Sequence, residues 1–358
     1  MGFKEHFIIP EGMIYMNTPG NGLIPKKIRE WRVERDQTFF DPRVTLREEQ
    51  TPFIQGVRES LATFFNTTEK HVYCTPNFSF GFNVLLDGLP KHLKFLLIAG
   101  DYPSLNYPII SRGFAYDTVE LSITLEVDIW QHVEQQKPDV LAISIIQYIS
   151  GVKIDLSFIK KLKEAFPDLL IIGDGTQYFG TEPFSFPASG FDAIGGSGYK
   201  WLMAGFGNGY TILNEKMQAL IYQEAQQKQR PKEAMWSSKT ILHTYFEPGH
   251  QDTLSHGTLQ QSLHFLTELG LSRVQQQLQE TTSYAYEKFQ EHNLLLPIAA
   301  QRATQSSLIN VQIDPNHFGT LMAQQVRCFP RGTGIRIGLH LYNDKQDIDQ
   351  LLAIIDKI

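Results

Sequence analysis

The fold is decided by two neighbouring stretches, IIGDGTQYFG at residues 171–180 and FDAIGGSGYKWLMAGFGNGYTIL at residues 191–213. In the first stretch an apolar run ends at Asp174, and Gln177 follows three residues later. In the second, an apolar segment runs into Ser-Gly-Tyr-Lys, of which Lys200 is the last residue. Apolar runs bounded by Gly or Asp predict buried strands, and open α/β sheets bind ligands at the carboxyl ends of their strands. The two stretches therefore predict a ligand site that contains Asp174, Gln177 and Lys200.

The segments before this site alternate between predicted strands and helices. Apolar runs at residues 94–100, 140–147 and 169–173 predict buried strands, each bounded by Gly, Pro or Asp. Residues 155–166 have apolar side chains at helical spacing, and Asp155 can cap that helix. A strand, a helix and a strand in this order imply parallel pairing, so we predict an α/β layer.

The C-terminal part follows a different pattern. Residues 259–293 are helical in period with a break at Gly270, and residues 347–358 predict a closing helix. Between them, residues 307–313 and 334–340 alternate apolar and polar side chains, which is typical of antiparallel strands. We therefore predict a smaller α+β domain after the large α/β domain.

A chain of 358 residues is long enough for two domains, at about 150 residues for each. We expect a segment at residues 1–25 that packs near the active site, a large ligand-binding α/β domain at residues 26–230 and a small α+β domain at residues 231–358. The polar stretch at residues 223–232, QEAQQKQRPK, marks the boundary between the two domains.

Composition excludes several classes of function. A net charge of -6 gives no electrostatic reason to expect binding to nucleic acid or to an acidic membrane surface. No stretch approaches the roughly 18 apolar residues of a membrane span. The two cysteines, Cys74 and Cys328, are too few for a disulfide scaffold, and the first residues lack the pattern of a signal peptide. We therefore expect a cytoplasmic protein.

Lys200 is the strongest candidate for chemistry. It stands between a glycine-rich turn and Trp201, where burial would lower the pKa of its amine and make the amine nucleophilic near neutral pH. Taken singly, a carboxylate after a strand commonly caps a turn, and a lysine after Ser-Gly is commonly solvated. Other motifs fail: Tyr199 replaces the last glycine of G-x-S-x-G, and the sequence has no P-loop, dinucleotide fingerprint, H-E-x-x-H or C-x-x-C. A nicotinamide-dependent dehydrogenase and a metal site are therefore not expected.

The combination of these residues is more specific than any one of them. Asp-x-x-Gln at Asp174 and Gln177, followed by Ser-Gly-aromatic-Lys at residues 197–200, resembles the aminotransferase class V family of fold-type I pyridoxal-5′-phosphate (PLP) enzymes. That family includes cysteine desulfurases, selenocysteine lyases and isopenicillin-N-epimerase-like proteins. Its usual pattern ends in S-G-H-K, and Tyr199 stands here where histidine is common. The resemblance implies a mostly parallel seven-stranded sheet flanked by helices, with a smaller C-terminal α+β domain.

Short motifs in the family's order extend the resemblance over nearly the whole chain. TPNFSFGFNVL at residues 75–85 is similar to the family's phosphate loop, and DYPSLNYP at residues 101–108 to the segment that stacks on the cofactor ring. GIRIGLHLYN at residues 334–343 is similar to the segment that carries the arginine for the substrate carboxylate. The other matching segments are IYMNTPGNGLIP at residues 14–25, IQYISGV at residues 146–152 and HGT at residues 256–258.

The resemblance implies a role for each matching residue. Lys200 holds PLP as a Schiff base, Asp174 keeps the pyridine nitrogen protonated, and Tyr102 stacks on the ring. Arg336 binds the substrate carboxylate, with Asn17 also in the substrate site. The remaining residues are implied to orient the ring or to grip the phosphate, partly through a helix N-terminus: Asn77, Phe78, Ser79, Gln147, Gln177, Ser197, Tyr199, Gly257 and Thr258.

Ordinary structural roles compete with some of these assignments. A core position, a helix cap or a surface ion pair is the alternative for Tyr102, Ser79, Thr258 and Arg336. Gln147 and Tyr148 are adjacent, so strand alternation lets only one of them face the ring, and the sequence does not say which.

The cofactor fixes the first half of the reaction. The resemblance implies that the amino group of the substrate displaces Lys200 and that the freed amine removes the Cα proton to leave a carbanion. We therefore predict a PLP-dependent enzyme of the class V aminotransferase type, a transferase or lyase that acts on a small amino acid. The alternatives are a C–S or C–Se lyase of the desulfurase type that uses Cys328, and a catalytically silent protein with the same fold. The resemblance also implies a homodimer in which Gly257 and Thr258 reach the neighbouring subunit's phosphate site.

Overall fold

The fold is described from a computed structural model for residues 2–229, 232–233, 236 and 239–358. Residues 230 and 231, between which the sequence places the domain boundary, lie outside the described residues. The strands are β1 (Ile14–Tyr15), β2 (Val72–Thr75), β3 (Lys94–Ile98), β4 (Ala115–Val119), β5 (Val140–Ser144), β6 (Leu170–Asp174), β7 (Ala193–Ser197), β8 (Gly209–Leu213), β9 (Leu308–Val311), β10 (Val326–Arg327), β11 (Phe329–Arg331) and β12 (Gly334–Gly338). The helices are α1 (Lys26–Gln37), α2 (Leu46–Phe64), α3 (Phe78–Gly88), α4 (Pro103–Ser111), α5 (Leu125–Gln136), α6 (Leu156–Ala165), α7 (Glu215–Leu220), α8 (Gln223–Gln226), α9 (Ile241–Phe246), α10 (Thr253–Leu269), α11 (Leu271–Glu291), α12 (Pro297–Ala300), α13 (Phe318–Ala323) and α14 (Lys345–Ile355).

A seven-stranded sheet lies at the centre, with strand order β2-β8-β7-β6-β5-β3-β4. The strands from β7 to β4 pair in parallel, and β8 is antiparallel to both of its neighbours. The predicted mostly parallel seven-stranded sheet is therefore confirmed. The three strands predicted from apolar runs are β3, β5 and β6, and the predicted cap at Asp155 accepts a hydrogen bond from Ser157 N–H at 2.8 Å at the start of α6.

Both faces of this sheet are buried, which explains why its strands are apolar at consecutive positions. Along β3, Phe95 and Leu97 belong to one core cluster, whereas Leu96 and Ile98 belong to the other. This division follows from the alternation of side chains along a strand. The helices on the two faces complete the two clusters. No helix among the described residues combines the length and the apolar character needed to cross a membrane.

The C-terminal part forms its own antiparallel sheet of three strands in the order β11-β12-β9. Its core cluster includes Phe289 of α11, Ile337 of β12 and Leu351 of α14. The predicted antiparallel strands and the helix break at Gly270, where φ is +82°, are confirmed. The last helix begins at Lys345, slightly earlier than predicted, because Asp344 forms a capping box with residue 347.

The N-terminal segment joins the C-terminal sheet to the turn that carries Lys200. β1 pairs in parallel with β10, and Asn17 forms an isolated bridge with Gly338. Further along, the N–H of Gly22 donates a hydrogen bond of 2.8 Å to the carbonyl of Tyr199. The segment therefore lies directly against the lysine turn.

A buried ion pair joins α2 to the end of α9. The Glu247 carboxylate lies 2.7 Å from the guanidinium of Arg58 and accepts the backbone N–H of Cys74 at 2.8 Å. Glu247→Ala leaves the Arg58 charge unpaired, so we expect the free energy of unfolding in urea to fall by about 3–5 kcal/mol. Glu215→Ala, in an exposed pair with Lys70, is the control and should cost less than about 1 kcal/mol. Equal losses in the two variants would contradict this expectation.

Candidate active site

The carboxyl ends of the parallel strands open into a cavity of about 400 Å³, a size typical of small-molecule sites. Ser144, Asp174 and Ser197 are the last residues of β5, β6 and β7, and all three line this cavity. The complete lining is Pro76, Asn77, Phe78, Ser79, Tyr102, Ser144, Ile146, Tyr148, Asp174, Thr176, Gln177, Ser197, Tyr199, Lys200, Phe206 and Gly207. Of the predicted site residues, those outside this lining are Asn17, Gln147, Gly257, Thr258, Arg336 and the alternative nucleophile Cys328.

A compact turn places Lys200 in the cavity. The N–H of Met203 donates to the carbonyl of Lys200 at 3.0 Å, and the N–H of Ala204 donates to the carbonyl of Gly198 at 2.9 Å. A Cβ on Gly198 would overlap Oδ1 of Asn208, so this position requires glycine. The glycine before Tyr-Lys is therefore needed for the close approach of the two ends of the turn.

The amine of Lys200 is buried without a fixed partner. The residue is 6% exposed, and among the described residues no hydrogen bond or ion pair engages its Nζ. The Nζ lies 5.7 Å from the ring centre of Tyr102 and 5.5 Å from that of Tyr199. Burial lowers the pKa of Lys200 to about 8, although the charge of Asp174 opposes the shift. The predicted burial of this lysine is confirmed, and its amine is available as a base or nucleophile near neutral pH.

This pKa gives a prediction for the protein without ligand. Acylation of Lys200 by an amine-directed reagent should increase with pH around a midpoint of about 8, because the amine is protonated below that pH and neutral above it. Peptide mass mapping at a series of pH values measures the midpoint. Asp174→Asn should move the midpoint to lower pH, since the Asp174 charge raises the pKa of Lys200. A midpoint near 10.4, as for an unperturbed lysine, would contradict the burial argument.

Asp174 is a buried carboxylate in the same cavity. Its Oδ1 accepts the N–H of Thr176 at 2.9 Å. Burial raises the pKa of Asp174 to about 6, while the hydrogen bonds from Thr176 and the charge of Lys200 act in the opposite direction. The carboxylate is therefore ionised at neutral pH and can pair with a cationic group of a ligand.

A second buried carboxylate positions Tyr102. Asp101 accepts the N–H of Tyr102 at 2.7 Å and the N–H of Ser144 at 2.9 Å. The Asp101 carboxylate therefore links the start of α4 to the end of β5 through hydrogen bonds. The ring of Tyr102 contacts Tyr148 edge to face at 5.2 Å, and both rings line the cavity.

The N-terminus of α3 supplies a site for an anion at one end of the cavity. Asn77 caps the helix, since its side chain accepts the N–H of Phe80 at 2.9 Å. The hydroxyl of Ser197 accepts the N–H of Phe78 at 3.0 Å. Ser79 lies inside the first turn and is not the cap, and it lines the cavity. A helix N-terminus with nearby hydroxyls attracts an anion such as a phosphate.

Gln177 is held by a chain of hydrogen bonds that reaches the C-terminal sheet. Its Oε1 accepts the indole N–H of Trp201 at 2.8 Å, and its Nε2 donates to the carbonyl of Pro19 at 3.2 Å. The Nε2 of His340 in turn donates to the carbonyl of Trp201 at 3.0 Å. Burial lowers the pKa of His340 to about 4, so the imidazole is neutral and its tautomer is fixed by this bond.

The structure shows which of the adjacent residues Gln147 and Tyr148 faces the cavity. Oε1 of Gln147 accepts the N–H groups of Ile149 and Ser150 at 2.8 and 2.7 Å, and its Nε2 donates to the carbonyl of Gly100. Both ends of the amide are therefore used inside the turn, and Tyr148 faces the cavity instead. The predicted cofactor contact from Gln147 is not supported by this geometry.

Gly257 and Thr258 lie inside a helix and not at its start. Asp252 caps α10, where its side chain accepts the N–H groups of Leu254 and Ser255. Thr258 is fully buried, where its hydroxyl donates to the carbonyl of Leu254 at 2.7 Å and accepts from Arg32 at 2.6 Å. Because the cap at Asp252 lies upstream, Gly257 and Thr258 lie within the body of α10. The predicted contact of these two residues with a neighbouring subunit's phosphate site is therefore not supported by this geometry.

Arg336 lies behind the cavity wall. One guanidinium N–H donates to the carbonyl of Tyr148 at 2.7 Å, while its Nε is buried with no partner in the described structure. Burial lowers the pKa of Arg336 to about 10, so the guanidinium remains charged at neutral pH. Oδ1 of Asn17 is likewise buried and has no partner in the described structure. Both predicted substrate-binding residues therefore keep unused hydrogen-bonding capacity, although neither lines the cavity itself.

Cys328 lies in the core of the C-terminal part. It is 3% exposed, belongs to the same cluster as Val326 and Ile337, and does not line the cavity. Burial raises the pKa of the Cys328 thiol to about 12, so the thiol is protonated at neutral pH. This environment is that of a structural cysteine.

Several cavity residues were not identified from the sequence. Thr176 stands between Asp174 and Gln177, so the spacing of that motif could have revealed it. Phe206 lies on the loop after Lys200 and stacks on Tyr199 with ring centres 4.8 Å apart. The sequence around Phe206 gives no sign that this residue differs from a buried phenylalanine. In the structure its side chain is 70% exposed.

Comparisons with known proteins agree with this arrangement. The model of the family described as aminotransferase class-V matches residues 43–351. No curated protein matches the chain.

Solved structures resemble the chain over almost its full length. A mutant of C-DES with glycine covalently linked to its PLP cofactor has a TM-score of 0.85 at 18% identity, covering 98% of both chains. The cystine C–S lyase C-DES in complex with its reaction product cysteine persulfide has a TM-score of 0.83 at 18% identity, covering 96% of this chain and 97% of that one. The apo cysteine desulfurase from Thermococcus onnurineus NA1 has a TM-score of 0.84 at 14% identity, covering 99% and 96%. At sequence identities this low, the similarity to these structures shows the fold alone.

Proposed function

The chain belongs to the aminotransferase class-V family, a family of PLP-dependent enzymes with the fold-type I architecture, and from this we propose that it transforms a small amino acid with PLP held at Lys200. One observation carries the proposal. A buried lysine amine, a buried carboxylate at Asp174 and a helix N-terminus meet in a single cavity.

The residues of the cavity fit PLP group by group. The first turn of α3 and the hydroxyls of Ser79 and Ser197 suit a phosphate. Tyr102 offers an aromatic surface, and the ionised Asp174 suits a protonated ring nitrogen. The Lys200 amine, which has no partner among the described residues, is the group that would hold the cofactor covalently.

The protein supplies positioning and proton transfer. When bound, PLP provides an electron sink for negative charge that develops at the substrate Cα. The Lys200 amine, whose pKa is about 8 in the ligand-free protein, would be the base that takes the proton from Cα. Arg336, with its unused Nε, would bind the substrate carboxylate, and Asn17 would lie nearby.

A second candidate is a lyase that cleaves a C–S bond without a cysteine nucleophile. The buried position of Cys328 favours this over the desulfurase mechanism that would use that thiol. Cys328→Ala should therefore keep kcat/KM for L-cysteine or L-cystine within about twofold, because the mutation touches only the C-terminal core. A loss on the order of 10²-fold at unchanged cofactor content would restore Cys328 as the nucleophile.

We further propose that the enzyme is a cytoplasmic homodimer. The two cysteines are free and buried, which suits a reducing compartment. Phe206 lines the cavity yet is 70% exposed, and a second subunit over the cavity mouth would bury it. Light scattering coupled to size-exclusion chromatography tests the dimer, and a monomer at micromolar concentration would contradict it.

The test of the proposed function is the visible spectrum before and after borohydride reduction, followed by peptide mass mapping. We expect a yellow protein in which reduction fixes a phosphopyridoxyl group on Lys200. A panel of amino acids, scored for keto acid, sulfide and alanine, then identifies the reaction. A protein that stays colourless with added PLP would contradict the proposal and would favour a catalytically silent protein.

A further inference from the structure

The hairpin formed by β11 and β12 presents two arginines on one face. In the antiparallel register, Phe329 pairs with Arg336 and Arg331 pairs with Gly334. Because side chains alternate along a strand, Phe329, Arg331 and Arg336 project from the same face. A Cβ on Gly334, opposite Arg331, would overlap the carbonyl oxygen of Val311 and the side chain of Asn310, so β12 can pass close to β9 only with glycine here.

Two contacts place the hairpin against the cavity wall. Arg336 donates to the carbonyl of Tyr148 at 2.7 Å, and Tyr148 lines the cavity. At the hairpin turn, Gly332 has φ +59°, and a Cβ there would lie 2.7 Å from a methyl carbon of Ile149. The tip of the hairpin therefore rests on the turn that carries Tyr148.

Neither arginine has an acidic partner in the described part of the chain. Within the part of the chain that the structure describes, no carboxylate forms an ion pair within 4.0 Å of Arg331 or Arg336. The guanidinium of Arg331 lies 4.6 Å from the ring centre of Phe329, which restricts its position. After burial, which is the main cause, the charges of Arg336 and Arg331 also contribute to the lowered pKa of Lys200. Both positive charges therefore disfavour the protonated form of the Lys200 amine in the cavity.

The spacing suits a ligand with two anionic groups. Diagonal neighbours across an antiparallel pair lie roughly 7–8 Å apart at the backbone. One guanidinium is enough to bind a single carboxylate through paired hydrogen bonds, so an α-carboxylate at Arg336 leaves Arg331 without a partner.

We propose that Arg331 and Arg336 together select amino acids that carry a second anionic group at the end of the side chain. Arg336 binds the α-carboxylate, and Arg331 binds the side-chain carboxylate or a similar oxyanion. The inference rests on the proposed function, since it names the substrate class of the same site.

The experiment is a titration of the PLP-loaded protein with amino acids, in which the change in the visible band gives an equilibrium dissociation constant. The ligands are two matched pairs, L-aspartate with L-asparagine and L-glutamate with L-glutamine. We expect the wild-type protein to bind the acid of at least one pair about tenfold more tightly than its amide, as one charge-assisted hydrogen bond allows. Arg331→Gln should remove that preference and change amide binding by less than about twofold.

Two control variants separate this role from a general effect of charge. Arg327→Gln removes a cation from the neighbouring strand β10, where the side chain contacts Met322, and should leave all four constants unchanged. Arg336→Gln should weaken acids and amides alike. Thermal unfolding of each variant checks that the fold is retained.

The outcomes also distinguish this inference from the proposed function. Equal binding of acids and amides by the wild-type protein, or equal weakening of both by Arg331→Gln, would overturn the role of Arg331 while the enzyme assignment stands. A protein with no visible band and no response to any amino acid would overturn both.

Discussion

Lys200→Ala should lower turnover by at least about 10³-fold, because in the proposed function this one residue supplies both the covalent attachment and the base. The variant should still bind PLP through the first turn of α3, but borohydride should no longer fix the cofactor to the protein. Steady-state kinetics on the substrate found in the amino-acid panel and intact mass after reduction measure the two effects. Because the Lys200 side chain makes no hydrogen bond among the described residues, its removal should leave the melting temperature of the apoprotein almost unchanged.

Two further variants separate the chemistry of the amine from its charge. Lys200→Arg keeps the positive charge but cannot form the covalent attachment, so its turnover should fall as far as that of the alanine variant. Lys161→Ala, at an exposed position on α6, should behave as wild type. Normal turnover in Lys200→Arg would mean that the lysine acts only as a charge.

Asp174→Asn should lower turnover on the order of 10²–10³-fold, the usual cost of losing one preorganised charged group at a reacting centre. The amide is similar in size and can still accept the N–H of Thr176, so the loss is one of charge rather than of shape. Asp168→Asn, in the exposed turn before β6, is the matched control and should leave turnover unchanged. Wild-type rates in Asp174→Asn would show that the carboxylate serves only as a turn residue.

The same carboxylate predicts a pH dependence of cofactor binding. Asp174 has a pKa of about 6 in the ligand-free protein, so it is ionised above that pH and neutral below it. The dissociation constant of PLP should therefore rise as the pH falls through about 6, since protonation removes the charge that pairs with the ring nitrogen. Asp174→Asn should weaken this dependence, which fluorescence titration at pH values on both sides of the transition can measure.

The parts of the molecule that the sequence predicts are those determined by neighbouring residues. An apolar run that ends in Asp174 is a local pattern, and parallel pairing then brings the strand ends together in space. The glycine before Tyr199 and Lys200 has a steric cause within the same loop. Strand alternation also explains why the two faces of β3 belong to separate clusters.

The parts that the sequence does not predict depend on competition between hydrogen-bond partners or on distant contacts. Gln147 matches a polar position of the family, but two N–H groups of its own turn take its carbonyl oxygen. Thr258 matches a motif, but the cap at Asp252 starts the helix earlier and turns the hydroxyl inward. Arg331 has no local signal at all, because the position of its hairpin depends on the strand register and on the approach of Gly332 to Ile149.

The contacts between the two ends of the chain have a consequence for biosynthesis. Residues 14–17 are made long before their partners β10 and Gly338. The bond from His340 to the carbonyl of Trp201 likewise forms only after β12 has been made. In a nascent chain that has reached the end of the large sheet, the N-terminal segment still lacks its pairing with β10 and Gly338, and the lysine turn still lacks its bond to His340. The lysine turn therefore gains these contacts only after β12 has been made, and a chain truncated before β10 would lack them.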